Sequence, residues 1–298
     1  MAEHRPVVAT IGAFDGIHRG HHLLIGQVVD RAKALGLPSV CVTFDPHPDL
    51  VIYPDRQLAY LTDRDEKARV LAQLGLDHVQ IVEFTPAVSM LRPAEFLGLI
   101  SEKAPLAELW VGSDFALGRG RSGSIAALAE LGRTVGFALH VVPPQRSDHE
   151  VISSTLIRGL LSQGKVRQAN RLLGRRYRIS GIVESGAQRG RQLGFPTANI
   201  KPDSRRALPA DGVYAAIVPL EGSEYRAVAN LGSRPTFKEG ERLLEVHLLD
   251  AKLDLYDRKL DVDFVARLRD TQRFASIEDL RDQIVRDADA ARIVDLAL

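Results

Sequence analysis

The chain has 298 residues, 45% of them hydrophobic and 26% charged, with 39 basic against 38 acidic side chains and a formal net charge of +1. That length favours two domains with ample core, and the balanced charge argues against nucleic-acid binding through a whole-domain basic field. The single cysteine, Cys41, forms no internal disulfide, the polar opening Met1 to Pro6 lacks a signal layout, and no apolar run approaches the roughly 18 residues that span a bilayer, so the expected location is the cytoplasm.

In chain order, Val7–Ile11 reads as a strand that ends in the glycine-punctuated Gly12–Gly16, and His21–Leu35 reads as a helix closed by Gly36 and Pro38. Strand patterns follow at Val40–Phe44, Val79–Phe84, Leu109–Val111 and Phe137–Val142. Helical patterns lie between them at Asp65–Leu74, Ala94–Glu102 and Ile125–Leu131. This alternation predicts βαβ units, a parallel sheet, and ligand sites at the carboxyl ends of its strands. Ser153 to Leu173 reads as helical, and Gly174-Arg175-Arg176 looks like a boundary. Beyond it, Tyr177–Val183, Val213–Val218, Tyr225–Ala229, Leu243–Leu249 and Leu260–Val265 are strand-like, with no long helix between them. Strands in such succession predict an antiparallel sheet or small barrel. Ile277–Leu298 closes the chain as one amphipathic helix capped by Ser276.

The turn Thr10-Ile-Gly-Ala-Phe-Asp-Gly-Ile-His-Arg-Gly-His21 joins the first strand to the first helix. Gly12 and Gly16 permit close approach by a ligand, and Phe14 and Asp15 lie between them. His18 and His21, three apart, share one face of the first helical turn, where free N–H groups and the helix dipole favour phosphate. Two surface histidines or a metal pair are the plainer alternatives, although no further ligands follow at zinc spacing. Ser153-Ser154-Thr155 before a helix offers hydroxyls for a cap or a phosphate, and Arg158 falls on the same face as Ser154 and Thr155. Gly118-Arg-Gly-Arg-Ser-Gly123 fits a dinucleotide pattern, but it does not directly follow a strand and no acidic residue appears about twenty residues later, so it reads as an Arg-rich loop.

The second half holds Gly186-Ala-Gln-Arg189-Gly190-Arg-Gln-Leu-Gly194-Phe-Pro-Thr197-Ala-Asn199. Its glycines and arginines suit a phosphate clamp. Thr197 and Asn199, two apart on an extended chain, project to one side, and their oxygens are hard donors suited to Mg2+ carried by a nucleotide. A Gly/Pro-rich surface turn is the alternative. Glu245 sits between apolar residues in a strand, either half-buried with a raised pKa or simply facing outward.

His18-x-Gly-His21 with Ile152-Ser-Ser-Thr-x-x-Arg158 resembles the nucleotidylyltransferase superfamily. The fuller set resembles the bacterial bifunctional riboflavin kinase/FMN adenylyltransferase family: it adds Thr43-Phe-Asp-Pro-His-Pro48, Val111-Gly-Ser-Asp-Phe115, Gly194-x-Pro-Thr-Ala-Asn199, Asp211-Gly-Val-Tyr214, Asn230-Leu-Gly-Ser-Arg-Pro-Thr236 and Leu244-Glu-Val-His-Leu248. The chain departs from the family at Ala13, Leu117, Ser185, Ala187 and Asp257. The resemblance implies a Rossmann-like α/β module over residues 1–172, followed over residues 173–298 by an all-β six-stranded antiparallel barrel with a C-terminal helix. It implies two ATP-dependent reactions, riboflavin to FMN and FMN to FAD. Their small-molecule substrates are riboflavin, FMN and ATP, with Mg2+ as cofactor, and neither nucleic acid nor membrane is a partner; a transient homo-oligomer is compatible with it. Glu245 would be the kinase base, with Gly186, Arg189, Gly190, Gly194, Thr197 and Asn199 binding nucleotide and Thr197 and Asn199 the metal. Gly12, Phe14, Asp15, Gly16, His18, His21, Ser154, Thr155 and Arg158 would bind the ATP of adenylyl transfer. Among these, His18, His21 and Arg158 would act on its phosphates, and Asp114, Phe115, Phe44 and Pro46 are the candidates for holding the flavin there.

Overall fold

The protein was analysed as a computed structural model that describes residues 5–56, 58–101, 104–148, 150–184, 194–233, 242–251 and 253–298. Contacts divide the chain into two compact units, Met1–Ser154 and Thr155–Leu298.

The first unit is built on a five-stranded sheet of order β3-β2-β1-β4-β5, parallel at every pairing. The strands are β1 (Val7–Ile11), β2 (Ser39–Asp45), β3 (His78–Glu83), β4 (Leu106–Gly112) and β5 (Ala138–Val142). Every residue of β1 is buried, as expected of a central strand covered by helices on both faces. On one face pack α1 (Arg19–Leu35) and α3 (Arg64–Gln73), through Ile25, Val28, Cys41, Val70 and Leu71. On the other, α5 (Pro93–Ser101) and α6 (Ile125–Val135) enclose Ile11, Val42, Phe84, Phe96, Leu109 and Leu128. Two short helices, α2 (Pro48–Ile52) and α4 (Pro86–Ser89), and a hairpin of β6 (Arg146–Ser147) and β7 (Glu150–Val151) escape the sequence reading, being too short to show a period. Because the chain runs β1–β2–β3 to one side and then β4–β5 to the other, the switch point lies between β1 and β4, where such sheets bind ligands.

Away from that edge, Glu108 on β4 is 6% exposed. It accepts from Arg31 of α1 at 2.8 and 3.0 Å and from the Trp110 indole at 2.9 Å. The Arg31 hydrogen bonds hold its carboxyl below the usual carboxylate range, with help from Trp110. A carboxylate whose pKa is lowered by folding adds stability above its unfolded pKa and loses it as pH falls through the folded value. Glu108→Gln should therefore cost about 1–3 kcal/mol at pH 7, with the gap to the parent narrowing below about pH 4. Urea unfolding at the two pH values checks it; a gap independent of pH would contradict the assignment.

The second unit starts at Thr155, one residue into α7 (Ser154–Ser162), and continues with α8 (Val166–Leu173). The single helix expected over residues 153–173 is broken at Gly164, whose φ is +72° and where a Cβ would lie 2.9 Å from Arg267. Only glycine fits that left-handed, crowded position. Six strands then close into a barrel of order β10-β11-β12-β9-β8-β13: β8 (Tyr177–Glu184), β9 (Ala198–Ile200), β10 (Gly212–Leu220), β11 (Ser223–Ser233), β12 (Arg242–Leu248) and β13 (Lys259–Arg269). The barrel is antiparallel throughout and closed by β10–β13. Its interior is filled by Tyr177, Ile179, Tyr214, Leu244, Val262 and Phe264, all at most 1% exposed. Asn170 ties α8 to this barrel: its amide donates to the Phe264 carbonyl and accepts from the Tyr177 N–H, both at 2.8 Å. The final helix, α9 (Ile277–Ile293), starts at Ser276 as expected, with the Ser276 hydroxyl accepting from the Asp279 N–H at 3.1 Å. It stops five residues short of the sequence reading. A bidentate bridge from Arg269 on β13 to Asp287 fastens it.

Candidate functional site

After β1 the chain makes a turn in which Phe14, Gly16 and Ile17 all take positive φ, at 44°, 79° and 41°. Two of these are not glycine, so the loop stores strain that its surroundings must hold. Asp15 does much of that holding. Its carboxylate, 3% exposed, accepts from the Leu61 N–H at 2.8 Å and the Thr62 N–H at 3.1 Å, and Thr62 Oγ1 accepts from the Gly16 N–H at 3.2 Å. A Cβ at Gly16 would lie 2.6 Å from Leu61. Asp15 is thus a loop anchor whose carboxyl points at protein N–H groups.

The loop delivers His18 and His21 to the start of α1. Their rings stack with centroids 3.7 Å apart at 15°, and Phe14 abuts His21 edge-on at 5.1 Å. A Cβ at Gly20 would sit 3.2 Å from the His18 ring, and one at Gly12 would sit 3.1 Å from the Phe14 ring. Both glycines therefore keep the rings in place. The first turn of α1 carries no acidic residue, which leaves the helix N-terminus favourable for an anion. Ser154 reaches the same loop, its hydroxyl donating to the Asp15 carbonyl at 2.8 Å. Thr155 and Arg158 follow on α7 in the second unit.

The other candidates cluster at the carboxyl ends of β2 and β4, the two neighbours of β1. Asp114 follows β4, and its carbonyl accepts from Arg121 at 2.8 Å. Phe115 packs partly buried on the core beside it. Pro46 follows β2 through a cis peptide bond. Phe44 is different: its ring is 5% exposed and packs on Phe84 and Phe96 at 5.2 and 5.8 Å. It is a core side chain, on the same face of the sheet as Val42, Phe84 and Phe96. The loop Gly118–Gly123 folds as a tight turn pinned by a Leu117–Gly123 bridge, with Gly118, Gly120 and Arg121 in the left-handed region.

Sequence reasoning missed Lys67. It is 4% exposed on α3, and its ammonium donates to the Phe44 carbonyl at 2.9 Å. Burial lowers its pKa, and the nearby Asp15 and Asp45 carboxylates oppose that shift. A lysine in a polar helical stretch reads as solvated, so no signal in the sequence distinguished it.

In the second unit, β-ladder register assembles a row of polar side chains. Asn230 on β11 pairs with Glu245 on β12, Glu245 with Asn199 on β9, and Asn199 with Glu184 on β8. Directly opposed residues project to the same face. The intervening Leu244 and Val246 are at most 1% exposed and point inward, so the row lies on the outer face. Glu245 is half-buried there and accepts from the Asn230 amide at 3.2 Å, while Asn199 is 7% exposed. Thr197 lies just before β9, two residues from Asn199. The amide oxygen of Asn199 and the Glu245 carboxylate share that face, and with the nearby Thr197 hydroxyl they are oxygen donors of the kind that suits Mg2+. Gly194 follows the clamp segment at φ +87°; Gly186, Arg189, Gly190, Ser185 and Ala187 lie outside the described residues.

A parallel sheet with paired histidines at its switch point, followed by a closed barrel with Asn199 and Glu245 on its outer face, fits the class of two-module enzymes of phosphoryl and nucleotidyl transfer. Residues 1–156 match the FAD synthetase family and residues 173–294 the riboflavin kinase family. The chain belongs to the bifunctional riboflavin kinase/FMN adenylyltransferase family. A relative of that name from Pseudomonas fluorescens is 41% identical over 97% of this chain and 93% of its own. One from Escherichia coli K12 is 38% identical over 96% and 91%. A crystal structure named as a macrolide-efflux protein from Streptococcus pneumoniae superposes with a TM-score of 0.88 at 29% identity, covering 98% of this chain and 95% of that one. No helix among the described residues here is long and apolar enough to cross a membrane.

Proposed function

We propose a residue-level account of the two reactions that the family membership assigns to this chain: phosphorylation of riboflavin to FMN, and adenylylation of FMN to FAD, each from ATP. The observation that carries it is the presence, in one chain, of both family matches on units whose polar groups suit the two chemistries.

In the first step, Glu245 takes the proton from the ribityl 5′-hydroxyl of riboflavin as that oxygen attacks the γ-phosphorus of ATP. The bond to ADP breaks, and FMN and ADP result. Asn230 orients the carboxylate by its hydrogen bond. Thr197 and Asn199 would hold Mg2+, which when bound offsets the charge of the transferring phosphoryl group. Gly186, Arg189, Gly190 and Gly194 would line the nucleotide phosphates.

In the second step, a phosphate oxygen of FMN attacks the α-phosphorus of ATP, and the bond to pyrophosphate breaks. That oxygen is already an anion, so no base is required. His18, His21 and the start of α1 stabilise the polyphosphate, and Ser154, Thr155 and Arg158 on α7 supply further donors. Gly12, Phe14, Asp15 and Gly16 shape the loop that keeps the imidazoles there. Asp114, Phe115 and Pro46 are assigned to the flavin.

We place the functional division between residues 172 and 173, the cytoplasm as the site of action, and free small molecules as the partners. Incubation with riboflavin, ATP and Mg2+, with products resolved by chromatography, should give FMN and then FAD. Accumulation of FMN alone would remove the second assignment, and unchanged riboflavin would remove both.

A further inference from the structure

Beyond the base and the metal donors, the barrel's outer face carries a histidine with no assigned role. His247 lies two residues after Glu245 on β12 and therefore faces the same side. The β12–β9 ladder runs Leu244–Ile200, Glu245–Asn199, Val246–Ala198, and there it ends. The residue before Thr197 is Pro196, which has no N–H to continue a ladder. The segment that presents Thr197 thus leaves the sheet just where its position matters. His247 takes over from the backbone at that point. Its Nδ1 lies 2.8 Å from the Pro196 carbonyl oxygen, and the Phe195 ring meets the imidazole edge-on with centroids 5.5 Å apart. A carbonyl only accepts, so Nδ1 carries the proton and the neutral ring is the Nδ1–H tautomer.

We infer that His247 is a positioning residue of the kinase site: by fastening Phe195 and Pro196 to β12 it fixes Thr197 beside Asn199 and Glu245. This rests on the reading of Thr197 and Asn199 as metal donors and Glu245 as base. Side chains that orient metal donors in this way typically change metal affinity or activity by about 10- to 100-fold when removed.

The test uses three replacements in the full chain. Asn places its amide N–H near the position of Nδ1, whereas Gln places it near Nε2. His247→Ala and His247→Gln should lower riboflavin phosphorylation by about tenfold or more and raise the Mg2+ concentration needed for half-maximal rate. His247→Asn should recover most of the parent rate. Mn2+ binding in the presence of a non-hydrolysable ATP analogue, followed by electron paramagnetic resonance, should weaken in the Ala and Gln variants and recover with Asn. FMN-to-FAD conversion and the thermal midpoint report that the chain is folded. Activity of His247→Ala within twofold of the parent would overturn the inference, as would recovery by Gln and not by Asn, which would put the role on Nε2. Glu245→Ala and Asn199→Ala are run alongside. If those two are inactive while His247→Ala is not, the positioning role alone fails; if they retain full activity, the underlying site reading fails.

Discussion

Replacing Glu245 with Ala is expected to lower FMN formation from riboflavin by about a hundred- to ten-thousandfold, the usual contribution of a positioned general base, while FMN-to-FAD conversion proceeds at the parent rate. The expectation follows from where the carboxylate stands. It faces outward on β12, between Asn230 and Asn199, so both neighbours across the ladder are neutral amides. Glu245→Gln sharpens the test, since its amide oxygen still accepts from the Asn230 side chain while the base is gone. If Glu245→Gln keeps more than a tenth of the parent rate, the residue orients substrate and is not the base.

How legible this was in the sequence differs between the two units. The parallel sheet was written in alternation: five strand patterns with helical patterns between them map onto β1 to β5, with ends shifted by a few residues. The barrel was harder. β9 spans only Ala198–Ile200, too short for a period, and it overlaps the end of the very string read for chemistry. Its existence nevertheless decides the site, because only pairing with β12 sets Asn199 opposite Glu245. The break at Gly164 was hidden for another reason: the apolar spacing continues through it, and the crowding comes from Arg267, about a hundred residues away in sequence. Side-chain burial was hidden too. Phe44, read as the end of a strand and as a candidate for the flavin, is a core side chain, and Lys67, to which the sequence reading gave no role, is buried. In both cases the deciding partner sits on a different element, where local spacing carries no information. The His18/His21 pair was legible because its spacing brackets the helix start, although His18 stands just outside α1 as its extended N-cap and only His21 lies in the first turn.

That pair leads to the second large effect. The His18→Ala, His21→Ala double variant should stop FAD formation while FMN accumulates from riboflavin and ATP. The two rings stack 3.7 Å apart on a helix start whose first turn has no acidic side chain, which favours a polyphosphate there. Removing both imidazoles takes away the donors placed where charge moves from the α-phosphorus toward the leaving pyrophosphate, and each such donor is worth about a hundred- to thousandfold. Because the rings touch, they act as a unit, and the double variant should lose less than the product of the two single losses. The backbone argues the same way from the other side. Gly20→Ala leaves both histidines present but would put a methyl 3.2 Å from the His18 ring, displacing it without changing its chemistry. If the pair works by position, Gly20→Ala should impair FAD formation in kcat more than in the KM for ATP, with FMN formation untouched. A double variant that still forms FAD at more than a few percent of the parent rate would show that α1's N-terminus and the α7 hydroxyls suffice, and would move the transition-state role away from the histidines.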